Sequence, residues 1–292
     1  MIIDFHTHLF PGNLAKKALD QLVKNLRAYE PESDPEAPYT DATAAGLIAS
    51  ERAAGIDLSV VMPIATSTRP SETLNNFAAE IDKIPGLRSF GSVHPKSPAA
   101  LSELDRVCKM GLRGIKLHPE YQECYADSDE TAAVVRHAAK LGLWVLFHAG
   151  TDVGMPPPVH GTPSRFARLR HAVPEANIIL AHMGAFRLWE QAEREYRDLG
   201  FYVDTSFSLD DRPGDWESFA RLIRMLGTDH VLFGTDSPWA DQTKSLRMTR
   251  SFLRGHGFTG DETSAILGGN AKRILYDGAL LSPPKKAPGI NV

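Results

Sequence analysis

The sequence predicts a single-domain α/β protein: a (β/α)8 barrel of the TIM type with extra helices at its C-terminal end. Three observations predict it. Eight short apolar, β-rich runs recur along the chain, each followed by a stretch with helical periodicity. The runs are apolar almost without interruption, as parallel strands covered on both faces must be. The length of 292 residues suits one barrel of about 250 residues with insertions better than two separate domains.

Each element follows in order. "MIIDFHTH" is the first strand and "NLAKKALDQLVKNLRAY" a long helix after it. The acidic, Pro-rich "EPESDPEAPYTDAT" is a loop. "DATAAGLIASERAAG" is a helix ended by Gly55, before the second strand, "IDLSVVMPI". "SETLNNFAAEIDKIPG" opens on Ser71 at N-cap spacing and closes on Pro-Gly. "LRSFGSVHP" is the third strand, and the helix "AALSELDRVCKMG" separates it from the fourth, "LRGIKLHP". "DETAAVVRHAAKLG" leads to "LWVLFHAG", "PSRFARLRHAVPE" to "NIILAHMG", and "RLWEQAEREYRDLG" to "FYVDTSFS". "DWESFARLIRMLGTD" leads to the eighth strand, "HVLFGTDSPW". Two helical segments follow, "DQTKSLRMTRSFLRGHG" and "DETSAILGGNAKRILY". The barrel domain is placed at residues 1–280, with a loose tail, "SPPKKAPGINV", over 281–292. The competing fold, an open doubly wound sheet, often carries a Gly-rich phosphate turn after its first strand. The first strand here runs into "HTHLFPGN", which lacks that pattern.

Composition narrows the function. Net charge is -4, against the basic footprint of a nucleic-acid binder. No apolar run approaches the length of a membrane span. The N-terminus lacks a basic flank and a cleavage-like site, so no signal peptide is expected. Cys108 and Cys124 form no CxxC pair, so a reduced, cytoplasmic setting is the simplest. The expected partner is a small-molecule substrate, and a homodimer is compatible with this reading.

Chemistry in such barrels sits where the strands end, and six of the eleven histidines fall there: His6 and His8, His94, His118, His148 and His182. Asp236 ends the eighth strand. His137, His160, His171, His230 and His256 fall in helices or loops and are read as ordinary core or surface residues. Residues i and i+2 of a strand face the same way, so His6 and His8 point together into the barrel mouth. Neutral imidazole is the commonest side-chain ligand for transition metals. With His148 and Asp236 the set is three nitrogens and one carboxylate, which leaves a position for water and describes a catalytic rather than a structural shell. One divalent ion is expected, zinc first, with manganese or another divalent ion as alternatives.

"IDFHTHLFP", "GIKLHPEYQ", "LFHAGT", "IILAHMG", "VLFGTDSPW" and "NAKRILY" occur in order over nearly the whole chain. Together they resemble the amidohydrolase superfamily, and within it the branch that holds aminocarboxymuconate-semialdehyde and hydroxybenzoate decarboxylases beside many metal-dependent hydrolases. The resemblance implies that His6, His8, His148 and Asp236 are metal ligands. It implies that His182 is either a second-metal ligand or positions substrate and water. Binuclear relatives carry a carboxylated lysine or a glutamate at the end of strand four, where Lys116 and His118 share a face. The mononuclear branch lacks that bridge. One metal is therefore expected, with Lys116 and His118 turned to substrate binding.

The catalytic expectation rests on Asp236 and His182. Asp236 could take a proton from water on the ion and pass it to the leaving group, and His182 could steady charge on the substrate oxygen. That describes hydrolysis of an amide, lactone or ester in an anionic substrate, the first reading. The alternative is decarboxylation of a small aromatic or unsaturated acid, and the third reading is a metal-binding protein without catalysis. Arg69 and Arg187, which follow strands two and six, are further candidates to clamp a substrate carboxylate, and Trp239 to wall the pocket. The Pro-rich loop after strand five and the segment from Glu30 to Pro38 are expected to form lids and to carry specificity.

Overall fold

A computed structural model describes residues 1–31, 36–69, 71–209 and 215–277. The predicted tail and the domain limit at residue 280 lie outside the described residues. Eight parallel strands are present: β1 (Ile3–Thr7), β2 (Leu58–Val61), β3 (Leu87–Ser89), β4 (Gly114–Leu117), β5 (Trp144–Phe147), β6 (Asn177–Leu180), β7 (Tyr202–Asp204) and β8 (Val231–Leu232). Hydrogen bonding runs through β1-β2-β3 and through β4-β5-β6-β7-β8. Single bridges, Gly91 to Ile115 and Thr7 to Ser237, close the ring. The chain is a TIM barrel, as the apolar runs predict. β8 is shorter than its run "HVLFGTDSPW" suggests, because beyond Leu232 the chain follows β1 through isolated backbone bonds: Phe5 N to Phe233 O at 2.8 Å and Asp236 N to His6 O at 2.8 Å.

Helices α1 (Gly12–Tyr29), α2 (Ala44–Ala54), α3 (Glu72–Ile81), α4 (Ala100–Lys109), α5 (Asp129–Lys140), α6 (Pro163–Ala172), α7 (Trp189–Glu195), α8 (Trp216–Leu226) and α9 (Gln242–Gly255) follow in the predicted order. α2 ends on Gly55 at φ 71, the left-handed cap its position predicts. Ser71 does precede α3, but its side chain makes no cap bond to the helix backbone; its hydroxyl instead meets the Asn75 amide at 3.4 Å.

Alternation along the strands makes two cores. Ile115, Val145, Phe147 and Ile178 face outward and pack with Val107, Val135, Phe166 and Phe219 of the surrounding helices. Phe5, Val60, Phe90, Leu146, Ile179 and Leu232 fill the barrel interior. The bottom is closed by α10 (Gly260–Ser264), α11 (Asn270–Lys272) and the π-type turns around them, which add Ala271, Ile274 and Leu275 to the interior cluster.

Two departures from simple alternation shape the mouth. In β1 the register shifts: Asp4 pairs with Ser59, but Thr7 pairs with Val61. One extra residue therefore sits between them, a bulge. It lets Phe5 fill the core while His6, its neighbour, also turns inward. Gly150, at φ +88, lies so close to the next loop that a Cβ would come within 2.2 Å of Phe186 N. That approach allows the loops after β5 and β6 to pair, with Thr151 N donating to Phe186 O at 3.0 Å.

Candidate active site

The strand ends surround a cavity of 390 Å³. His6, His8, Lys116, His118, His148, His182 and Asp236 line it, as does Trp239. His6 Nδ1 lies 2.8 Å from Asp204 Oδ2, and His8 Nδ1 2.8 Å from Met62 O. A carboxylate and a carbonyl only accept, so both Nδ1 atoms carry the proton and both Nε2 atoms present a lone pair. Those Nε2 atoms are 3.2 Å apart. Asp236 Oδ1 lies 3.0 Å from His8 Nε2 and 3.6 Å from His6 Nε2. Three acceptors thus converge on one point, a donor set that fits a divalent cation.

Burial dominates the electrostatics. Together with the Lys116 charge it lowers His6 to about 4, so the ring is neutral at pH 7, as a ligand must be. Burial holds Lys116 down to about 8, against the pull of Asp204, Asp236 and Asp152. Burial would raise Asp236, but its closeness to the His8, His6 and His182 rings overcomes this and holds it well below the usual carboxylate range. Lys116 Nζ lies 3.1 Å from His6 Nε2. Among the described residues it is the only lysine or arginine lining the cavity.

The backbone is strained where the chemistry converges. Asp236 (φ 71), His182 (φ 59) and Met183 (φ 53) hold left-handed conformations, which non-glycine residues adopt at an energetic cost and which cluster at functional sites.

His148 is placed differently from the other expected ligands. Its donor atoms group with His118 and Asp152 rather than with His6, His8 and Asp236. Its Nδ1 lies 3.0 Å from His182 Nε2. His118 stacks on His148 at 4.2 Å and on Tyr121 at 3.9 Å between ring centroids, and burial lowers both imidazoles well below their usual range.

Arg69 and Arg187, expected as carboxylate clamps, do not line the cavity. Arg69 is exposed on the loop after β2. Arg187 pairs with Glu30 at 2.5 Å. His94 is buried away from the cavity, its Nδ1 3.2 Å from Lys96 N. His160 fastens loops: Glu120 accepts from its ring at 2.5 Å and from its backbone N at 2.7 Å.

Sequence reading passed over Asp204, Asp152 and Tyr121. Asp204 ends β7 at the level of the histidines. Besides His6, its carboxylate accepts from the backbone N of His182 and of Ser206, each at 3.0 Å, and from the Ser206 hydroxyl. Burial would raise it, but the hydrogen bonds it accepts from the His6 ring and the Ser206 hydroxyl hold it well below the usual carboxylate range. Its signal was available, because an acid closing an apolar strand is the same feature that singles out Asp236. The geometry makes Asp204 the group that orients His6. Asp204→Asn should therefore weaken divalent-metal affinity about 10–100-fold with the fold retained; metal titration monitored by calorimetry checks it, and unchanged affinity would contradict the role.

The family model for amidohydrolases matches residues 3–276. The chain belongs to the amidohydrolase family. Solved structures similar to this amidohydrolase include 5-carboxyvanillate decarboxylase from Sphingomonas paucimobilis, at TM-score 0.70 and 18% identity over 94% of this chain and 98% of that one. The 2,6-dihydroxybenzoate decarboxylase from Rhizobium matches at TM-score 0.68 and 17% identity, over 95% and 99%. The 5-carboxyvanillate decarboxylase from Novosphingobium aromaticivorans, complexed with manganese and 4-hydroxy-3-methoxy-5-nitrobenzoic acid, matches at TM-score 0.69 and 15% identity, over 94% and 96%. A search of curated proteins gives no significant match. Among the described residues no helix is long and apolar enough to cross a membrane.

Proposed function

We propose that this amidohydrolase is a divalent-metal-dependent carboxy-lyase that releases carbon dioxide from a hydroxy-substituted aromatic or unsaturated carboxylic acid. The observation that carries the reading is the buried Lys116 ammonium beside the three converging acceptors. A desolvated cation at the reacting centre draws the carboxylate of an acid substrate, and decarboxylation requires that carboxylate there whereas hydrolysis of an ester or amide does not. The likeness to decarboxylases supports the same choice, so the alternative reading of the sequence displaces hydrolysis.

His6, His8 and Asp236 would hold the ion, with His148 as the further donor expected from its strand-end position. Zinc and manganese both accept imidazole and carboxylate donors. When bound, the ion supplies Lewis acidity toward the substrate carboxylate or a neighbouring oxygen. Lys116 attracts the carboxylate and orients it over the floor. Asp236, ionised at rest, accepts the proton of the substrate hydroxyl and returns it to the carbon that bears the carboxylate. The carbon–carbon electron pair then goes back to the substrate and carbon dioxide leaves. His182 steadies charge on the substrate oxygen.

The test is turnover in deuterated and ¹⁸O-labelled water with hydroxybenzoates beside small lactones, amides and esters. Carbon dioxide release with one deuterium on the vacated carbon is the expected result. Solvent ¹⁸O in the product of an ester, amide or lactone, with no carbon dioxide from any acid, would restore hydrolysis.

A further inference from the structure

We infer that the acid taken by this enzyme is a monoanion with a bulky apolar body, and that helix α1 sets that preference. The inference rests on the decarboxylase reading for its reacting carboxylate; the shape and charge of the cavity carry the rest.

Charge in the cavity is confined to the floor, where Lys116, Asp236 and Asp152 lie among the imidazoles. Above it the lining turns apolar. α1 contributes Ala18, Leu22 and Leu26, which recur every four residues and so form one stripe along the helix. Phe77 and Phe186 continue the surface, and Trp239 completes it. Gln21, the polar residue that α1 adds to the lining, is neutral. The helix is held in place: Glu30, just past its end, pairs with Arg187 at 2.5 Å, and the Arg187 guanidinium lies 5.1 Å from the centre of the Phe186 ring.

Two consequences follow for the ligand. A second carboxylate would find no arginine or further lysine among the described lining residues; it would meet Asp152 or the apolar stripe, and an unpaired buried charge is costly. An apolar substituent, in contrast, would cover Leu22, Leu26 and Phe77. Each methylene so buried is worth about fourfold in affinity. At 390 Å³ the cavity falls in the range that encloses drug-sized ligands, roughly 300–1,000 Å³, so the floor and the stripe can be occupied together.

The experiment uses the metal-loaded full chain. The probes are 2-hydroxybenzoate, its 4- and 5-butyl and phenyl derivatives, and its 4- and 5-carboxy derivatives. Dissociation constants come from calorimetry, and carbon dioxide release is followed separately. At least one butyl or phenyl acid should bind at least tenfold more tightly than the parent, and the carboxy acids should bind at least tenfold more weakly. Leu22→Asp should abolish the apolar gain. Ala18→Trp, which fills the stripe without charging it, should do the same. Metal content, measured in parallel, reports that the floor is intact. Equal affinity for parent and apolar acids, tighter binding of the carboxy acids, or a gain that survives both substitutions would each overturn the inference. If the parent acid is decarboxylated in those cases, the reaction reading stands alone. An apolar gain without carbon dioxide release supports the cavity preference and overturns the decarboxylase reading. No binding of any acid overturns both.

Discussion

The double variant His6→Ala with His8→Ala is expected to bind no divalent ion and to show no measurable turnover. Both Nε2 lone pairs vanish together, leaving Asp236 as the one member of the converging set. A carboxylate alone holds a transition metal weakly, since imidazole supplies most of the affinity of a mixed site. The fold should survive, because the two rings sit at the mouth and the interior cluster does not include them. Some stability is lost all the same. Asp204 loses the His6 proton it accepts at 2.8 Å, and a buried acceptor left unpaired costs about 1–3 kcal/mol. Elemental analysis of protein purified without chelator, beside circular dichroism, reads both effects. A folded double variant that carries as much metal as wild type would remove the metal centre from the account.

Asp236→Asn separates holding the ion from moving the proton. Asparagine is one of the few residues that tolerates the left-handed backbone, so the φ of 71 at this position is kept and the fold with it. The amide cannot take up and return a proton as the carboxylate does. Activity should fall about 10²–10⁴-fold, the usual contribution of general acid–base catalysis, and metal should bind less tightly. Comparison at saturating metal isolates the first effect. Near-native turnover at full metal occupancy would show that Asp236 is not the proton carrier.

The parts of this site that could be read in the sequence are those that depend on local pattern. Parallel strands buried on both faces leave apolar runs, and each run ends where a barrel keeps its chemistry. Hence His6, His8, Lys116, His118, His148, His182, Asp236 and Trp239 all line one cavity. What stayed hidden depends on contacts between distant segments. Alternation alone places His6 opposite Phe5; the bulge that brings both inward leaves no mark in "IDFHTH". Ring orientation is equally invisible, so the turn of His148 toward His182 could not be foreseen. Arg69 and Arg187 have the same strand-following spacing as residues of the floor, and only the course of their loops excludes them. Asp204 is a different case. It could have been found by position, but an acid followed by Thr and Ser also reads as a turn.

The way the ring closes has a mechanical consequence. Between β8 and β1, as between β3 and β4, there is one strand-like bridge, here Thr7 to Ser237, where pairs such as β4 and β5 or β5 and β6 share a continuous ladder. His6 and His8 stand on one side of that seam and Asp236 on the other. An ion gripped by all three is a clasp across one of the two joints of the cylinder that lack a continuous ladder. Its occupancy then bears on the whole fold, because anything that binds only the closed ring stabilises it by mass action, about 4 kcal/mol at a thousand times the dissociation constant. Chelation would loosen the scaffold that shapes the cavity as well as stopping the reaction, and resistance to heat would vary with how much metal the surroundings provide.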